Sequence, residues 1–160
     1  MEKEVVSNTS SVIFLAKLDI FNLAKNIFSK IIIPTEVADE LFKKNSPENE
    51  RIKRELNNFL IEKKVEKIKD LPLGGGERAA ISLCLEREIK MFLSDDKKAR
   101  VYARSLGLRS IGILGIILIN LRDKKISKKE FIRLLNEWIR KGYYISPLLY
   151  AEILKEIEEF

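Results

Sequence analysis

Acidic and amide side chains stand where the apolar runs of this sequence end. Asn8 follows closely on Val5-Val6, Asp95-Asp96 follow Met91-Phe92-Leu93, and Glu77 comes directly after the triple glycine Gly74-Gly75-Gly76. Oxygen donors gathered in this way suit a hard divalent cation. Their weight comes from what the chain lacks, since it has no histidine and a single cysteine. Imidazole general bases, Ser/His/Asp triads, Cys/His pairs and zinc clusters are therefore excluded. If the chain is an enzyme, it works with carboxylates and a hard metal.

For those side chains to meet, the elements that carry them must end on one side of the molecule. Val5 to Asn8 reads as a short buried strand, with helical segments after it from Ser10 to Lys17 and from Ile20 to Phe28. Lys30 to Ile33 is predicted as a second strand, because three consecutive isoleucines suit a parallel strand buried on both faces. Pro34 ends it and presets a helix from Thr35 to Lys44, with Glu36 at the positive end of the macrodipole. The pattern predicts a helix from Glu48 to Glu62, then a strand solvated on one face from Val65 to Ile68, where apolar and charged residues alternate. Glu77 to Glu88 reads as a central packed helix and Met91 to Ser94 as a strand. A helix from Asp96 or Lys97 to about Leu106 ends at Gly107, and Ser110 to Gly112 is a last short strand. An apolar helix from Leu114 to about Leu121 follows, then two more. The first of these two carries Phe131, Leu134, Leu135, Trp138 and Ile139 on one face. Strands alternating with helices imply right-handed crossovers and an open, largely parallel sheet. Such sheets bind ligands beyond the carboxyl ends of their strands, where Asn8 and Asp95-Asp96 stand.

A chain of 160 residues fits one domain and can bury about 70% of its unfolded surface without staples. The expected organisation is a core over residues 1–121 and a helical extension over 122–160. Cys84, set among Ile81, Leu83 and Leu85, reads as a small buried hydrophobe in a reducing interior. No apolar run approaches the ~18 residues of a membrane span, and Met1-Glu2-Lys3-Glu4 carries acids, so the chain is expected in the cytoplasm. Charged residues make up 34% of it, against about 25% ordinarily, which is the profile of a thermophilic source. The net charge of +6 favours nucleic acid as a partner, although a Lys/Glu-rich thermostable surface produces the same balance. Lys97, Lys98, Arg100 and Arg104 lie just past the acids, placed either to hold the phosphates flanking a scissile bond or as a solvated basic face. Trp138, Tyr143, Tyr144 and Tyr150 are expected to pack internally or to form a homodimer contact.

Phosphate-binding alternatives fail on residue type. Gly74-Gly75-Gly76-Glu77 lacks the lysine of a P-loop and the spacing of a dinucleotide fingerprint, so no nucleotide cofactor is expected. A phosphoaspartyl mechanism needs an aspartate after the first strand, where this chain has Ser7-Asn8-Thr9. The remaining motifs have a familiar order. They run from Val5-Val6-Ser7-Asn8-Thr9-Ser10-Ser11 to Ile33-Pro34 with Val37 and Glu40-Leu41. Gly76-Glu77 with Ala80-Ile81, Leu93-Ser94-Asp95-Asp96-Lys97-Lys98-Ala99-Arg100, and Gly112 with Leu114-Gly115 follow. Together they resemble the PIN-domain family, in its VapC-like archaeal and bacterial subgroup, from Val5 to about Leu121. The segment from Ile145 to Leu154 is similar to that subgroup as well.

The resemblance implies a three-layer α/β fold, with a central mostly parallel sheet flanked by helices, plus C-terminal helices. It implies a metal-dependent endoribonuclease of the toxin type, in which acidic side chains hold Mg²⁺ or Mn²⁺ and water attacks an RNA phosphodiester. An antitoxin protein and a second copy of the chain are the partners that go with it. The family's four acidic positions fall on Asn8, Glu40, Glu77 and Asp96, with Asp95 beside the last and Ser10 as a polar support. Asn8 departs from the pattern because it carries no charge, and Ala79 stands where many relatives have a second glutamate. One missing negative charge weakens cation attraction and disfavours a second metal. The rival reading is a PIN-fold module that holds RNA or a protein with little or no catalysis. A small-molecule phosphatase trails both, since neither a phosphate loop nor a nucleophile is visible.

Overall fold

Consecutive β-branched residues must be covered on both faces, and the sheet of this protein is built around two such runs. The computed structural model describes residues 3–160. β1 (Glu4–Ser7) carries Val5-Val6 and β2 (Lys30–Pro34) carries Ile31-Ile32-Ile33, all buried. The two strands run parallel, with Val5 opposite Ile31 and Val6 opposite Ile32. β4 (Met91–Leu93) pairs with the other side of β1, while β3 (Leu60–Lys63) and β5 (Arg109–Ile111) form the edges. Among the described residues this makes a five-stranded, all-parallel sheet in the order β3-β2-β1-β4-β5. The α/β architecture implied by the sequence is therefore the observed one.

Alternate side chains leave the sheet on opposite faces. Val5, Ile31, Ile33 and Leu93 join the larger core, with α1 (Thr9–Lys17), α2 (Phe21–Lys25), α3 (Thr35–Phe42), α4 (Asn49–Glu55), α7 (Ile113–Arg122), α8 (Lys128–Arg140) and α9 (Pro147–Ile157). Val6, Ile32 and Phe92 join the smaller core, under α5 (Gly75–Arg87) and α6 (Lys97–Ser105). The chain moves outward from β1 through β2 to β3, then returns to start again on the other side of β1. That reversal opens a crevice beyond the carboxyl ends of β1 and β4.

Two predicted elements differ from the structure. The helix expected over Glu48 to Glu62 stops at Glu55, Asn57 turns the chain at φ 63, and Leu60–Lys63 becomes β3. Pairing decides this, because Leu60 and Ile61 lie opposite Ile31 and Ile32 and complete the sheet beside β2. The strand expected over Val65 to Ile68 is irregular backbone, with Val65 buried under α5 and the Glu66 N–H donating to the Glu86 carboxylate at 2.7 Å. The helical stretch expected over Ile20 to Phe28 is confined to α2, and a turn follows it.

The C-terminal helices pack on the larger core. Phe131, Leu134, Leu135 and Trp138 are buried, as the sequence spacing predicts. The Trp138 ring stacks on Tyr143 at 3.6 Å and meets Phe14 edge-on at 6.1 Å. The Tyr150 hydroxyl donates to Asn136 Oδ1 at 2.7 Å, so of the four aromatics only Tyr144, 80% exposed, is left for an external contact. Among the described residues no helix is long and apolar enough to cross a membrane.

Candidate active site

The crevice is stitched together by polar side chains at the two strand ends. Asn8 is completely buried, and its Oδ1 accepts from the Ser11 N–H at 3.1 Å, which caps α1. Its Nδ2 donates to Ser94 Oγ at 3.0 Å, and Ser94 Oγ also accepts from the Asp96 N–H at 3.1 Å. The ends of β1 and β4 are thus joined by one hydroxyl. Asp96 caps α6, with Oδ1 accepting from the Lys98 N–H at 2.9 Å and the Ala99 N–H at 3.2 Å. Its Oδ2 takes no hydrogen bond from the described residues and remains available to a ligand.

Glu77 enters from the first turn of α5 and Glu40 from the last turn of α3. Gly76 lets them approach, since a Cβ there would overlap Glu40 Oε1 and come within 3.2 Å of Thr9 Oγ1. Burial raises the proton affinity of Glu77, and the negative charges of Asp96 and Glu40 raise it further; the Asn8 amide facing it works the other way. Glu40, Glu77, Asp96 and Asn8 therefore share one electrostatic environment. Thr9 Oγ1 lies buried beside them without a hydrogen-bond partner.

Whether these groups fit a hard cation can be tested on the donors. The available donors are oxygens, burial and then the charges of Asp96 and Glu40 raise the proton affinity of Glu77, and Thr9 Oγ1 and Asp96 Oδ2 lack partners among the described residues. A divalent cation relieves each of these conditions. Among the described residues no three carboxylates stand together at metal-binding distance of one point. Glu40 and Asp96 are exposed residues, while Asp96 Oδ1 is held by the cap of α6.

Asp95 and Arg100 are both held by partners within the fold. The Asp95 carboxylate accepts from the Ile113 N–H at 3.1 Å and, through Oδ2, from the Ser11 hydroxyl at 3.4 Å, which ties β4 to α1 and to the start of α7. A Cβ at Gly112 would overlap Asp95 Oδ1, so this brace depends on glycine. Burial pushes its carboxyl up, opposed by the Ile113 N–H, the Arg100 charge and Ser11. Asp95 thus braces β4 against α1 and α7, and its charge is not among those that raise the proton affinity of Glu77. Arg100, expected on phosphate, donates from Nε to Ser110 Oγ at 3.1 Å and sits beside Asp95. Lys97, Lys98 and Arg104 are exposed, as phosphate contacts must be. Ser10 is exposed without a side-chain hydrogen bond among the described residues; its neighbour Thr9 turns its hydroxyl toward Gly76 and Glu40, and Ser11 donates to Asp95.

Thr9, Ser11, Ser94 and Gly76 are the site residues that sequence reasoning left unassigned. All four lie inside the motifs, but residue type alone does not show which hydroxyl faces inward.

Comparison with known proteins bears on the family and the fold. A family model described as PIN domain, DUF3368, matches residues 4–159. A PilT N-terminus domain protein, SSO1118, from the hyperthermophilic archaeon Sulfolobus solfataricus P2 superposes with a TM-score of 0.57 at 21% identity, over 74% of this chain and 93% of that one. The PIN domain endonuclease Utp24 superposes with a TM-score of 0.54 at 11% identity, over 69% of this chain and 84% of that one. At these identities the likeness is one of fold. Among curated proteins none matches this chain with significant similarity. A match over almost the whole sequence, the reversal of strand order and the acidic crevice that the reversal creates agree on one conclusion: the chain belongs to the PIN-domain family.

Proposed function

We propose that the protein is a toxin-like endoribonuclease that hydrolyses RNA phosphodiesters with the help of Mg²⁺ or Mn²⁺. One observation carries the proposal: Glu40 Oε1 lies against Gly76 in the first turn of α5, next to Glu77, whose proton affinity is raised by burial and further by the charges of Asp96 and Glu40. Glu40, Glu77 and Asp96 Oδ2 are the groups to hold the cation, with Thr9 Oγ1 as a neutral neighbour. When bound, the cation supplies charge stabilisation at the phosphate and a more acidic water.

The chain's own residues do the positioning. Asn8 and Ser94 hold the two strand ends in register, and Asp95 anchors the start of α7 behind them. Lys97 and Lys98, exposed at the start of α6, hold phosphates beside the scissile bond. Attack by water is the step proposed for this site, because carboxylates and a hard cation are suited to activating it. An antitoxin protein that covers the crevice, and a homodimer formed through Tyr144 and Leu148, belong to the same proposal.

Asn8 favours a second reading, a PIN-fold module that binds RNA or a protein and cuts weakly or not at all. Its neutral amide presents N–H groups where an aspartate would present negative charge. Incubating labelled single-stranded RNA with Mg²⁺ or Mn²⁺ separates the readings. Cleavage that stops in EDTA and in Glu77→Gln supports the nuclease, after a mock preparation has excluded contaminants. Cleavage that continues in EDTA, or is unchanged in Asp96→Asn, overturns it. Binding without cleavage under any divalent metal selects the module.

A further inference from the structure

A groove adjoins the carboxylates through Thr9 and Glu40, which belong to its lining. Thr9 and Glu40 stand at its mouth, Ile13 and Leu41 form an apolar floor, and Lys17, Lys43 and Lys44 line the walls, around a cavity of about 400 Å³. Lys17 and Glu48 also line a second cavity of about 420 Å³, which continues to Arg51, Arg54 and Lys141. The two form one path from the acidic crevice past α1, α3 and α4.

We propose that single-stranded RNA follows this path, with Lys17, Lys43, Lys44, Arg54 and Lys141 holding its phosphates on one side of the scissile bond. The proposal rests on the nuclease reading for which bond is cut, and it assigns how the strand is held.

The gathering of cations along one groove supports the assignment. Lys17, Lys43, Lys44, Arg54 and Lys141 line it and, like most cations among the described residues, have no carboxylate within ion-pair distance. Unpaired cations along a groove attract a polyanion and release its counterions on binding. The carboxylates of the path beyond its mouth are Glu48 and Glu50, which leaves positive charge in excess. Glu48 reports that field: burial works to raise its pKa, but the Ser46 hydroxyl, its own backbone and the Lys17 and Lys141 charges hold it below the ordinary range. Arg51 is fixed against the Ala16 carbonyl at 2.7 Å and near Asp19, so it shapes the wall. On the other flank Arg100 is occupied by Ser110 and Asp95, so α6 offers fewer free cations than the groove does. The apolar floor of Ile13 and Leu41 gives unstacked bases a surface between the lysines. An acidic protein segment would find the same charges, and the experiment decides between the two.

Fluorescence anisotropy of a short labelled single-stranded RNA in EDTA reads binding without turnover. At about 0.1 M salt each phosphate contact on a single strand contributes roughly fivefold in affinity through counterion release, with a slope of about 0.7 per contact. The variant K43Q/K44Q/R54Q/K141Q should weaken binding by more than about tenfold and flatten the salt dependence by up to ~3 units. The variant K124Q/K125Q/K128Q/K129Q loses the same charge at the far end of α7 and should stay within about twofold. The two pairs K43Q/K44Q and R54Q/K141Q, each about half as severe, serve if the quadruple variant melts early. Equal losses in both quadruple variants overturn the path, as does normal binding by the groove variant while K97Q/K98Q fails. Binding of polyglutamate but not of RNA by the native protein replaces RNA with an acidic protein as the occupant. Groove-dependent RNA binding with no cleavage under any metal sinks the nuclease reading and leaves the path standing.

Discussion

Asn8→Asp is the most informative change in the crevice, because the structure predicts opposite effects with and without metal. Asn8 is fully buried, and aspartate can keep the α1 cap that Asn8 Oδ1 makes with the Ser11 N–H. It replaces the amide N–H facing Glu77 with a negative oxygen. Two unit charges about 4 Å apart repel by ~4 kcal/mol at an effective dielectric of ~20. Glu77 escapes that repulsion by taking up a proton. From its ordinary 4.5, protonation at about pH 7 costs at most ~3.4 kcal/mol at ~1.36 kcal/mol per unit, and less because its affinity for protons is already raised. The expected loss in EDTA is therefore below ~3.4 kcal/mol at neutral pH, where each ~1 kcal/mol lowers Tm by ~2–4 °C for a chain of this length. Near pH 4 Glu77 is largely protonated in both proteins, and their melting temperatures should converge. With Mn²⁺ the sign reverses, since the added charge now faces a cation. Calorimetry should show at least about tenfold tighter Mn²⁺ binding, a gain of ~1.4 kcal/mol. Unchanged melting in EDTA together with equal or weaker Mn²⁺ affinity would place residue 8 outside the electrostatics of the site and refute the reasoning.

Other changes test single parts of the geometry. Gly76→Ala should displace Glu40 and weaken Mn²⁺ binding while stability moves by less than about 1 kcal/mol, because a helical alanine offsets some of the crowding; unchanged Mn²⁺ affinity removes Glu40 from the site. Asp95→Asn should cost ~1.5–3 kcal/mol in denaturant unfolding by losing charged hydrogen bonds to Ile113 N–H and Ser11, and should affect Mn²⁺ binding less than Asp96→Asn does. The reverse order would make Asp95 the ligand. Glu77 binds protons more tightly when folded, so its contribution to stability is complete below its ordinary 4.5 and is lost as pH rises through the raised folded value. In EDTA the native protein should lose stability over that window relative to Glu77→Gln, and Mn²⁺ should abolish the difference; parallel pH profiles in EDTA count against the cluster. If the chain pairs through Tyr144 and Leu148, which are 80% and 70% exposed, Tyr144→Lys with Leu148→Lys should convert a dimer to a monomer in light scattering, and a monomeric native protein ends that proposal.

The sequence by itself determined the chemistry on offer and the layers that carry it. Without histidine, and with carboxylates at the ends of apolar strands, oxygen ligation was the chemistry to expect, and Ile31-Ile32-Ile33 announced a strand covered on both faces. Those signals are legible because they depend on side-chain type and on periods of a few residues. Tertiary pairing decided the rest. Leu60-Ile61-Glu62-Lys63 continues the charged pattern of the helix before it, and only the exposed edge of β2 makes it a strand. Asp95 and Asp96 are adjacent and chemically alike, yet the backbone after β4 turns one toward Ile113 and Ser11 and leaves the other beside Glu77. Lys17, the pair Lys43-Lys44, Arg54 and Lys141 belong to α1, the end of α3, α4 and the end of α8, and only tertiary packing brings them to the lining of adjoining cavities. Direction and adjacency across distant segments are properties of the packed chain, which a local pattern of residues does not contain.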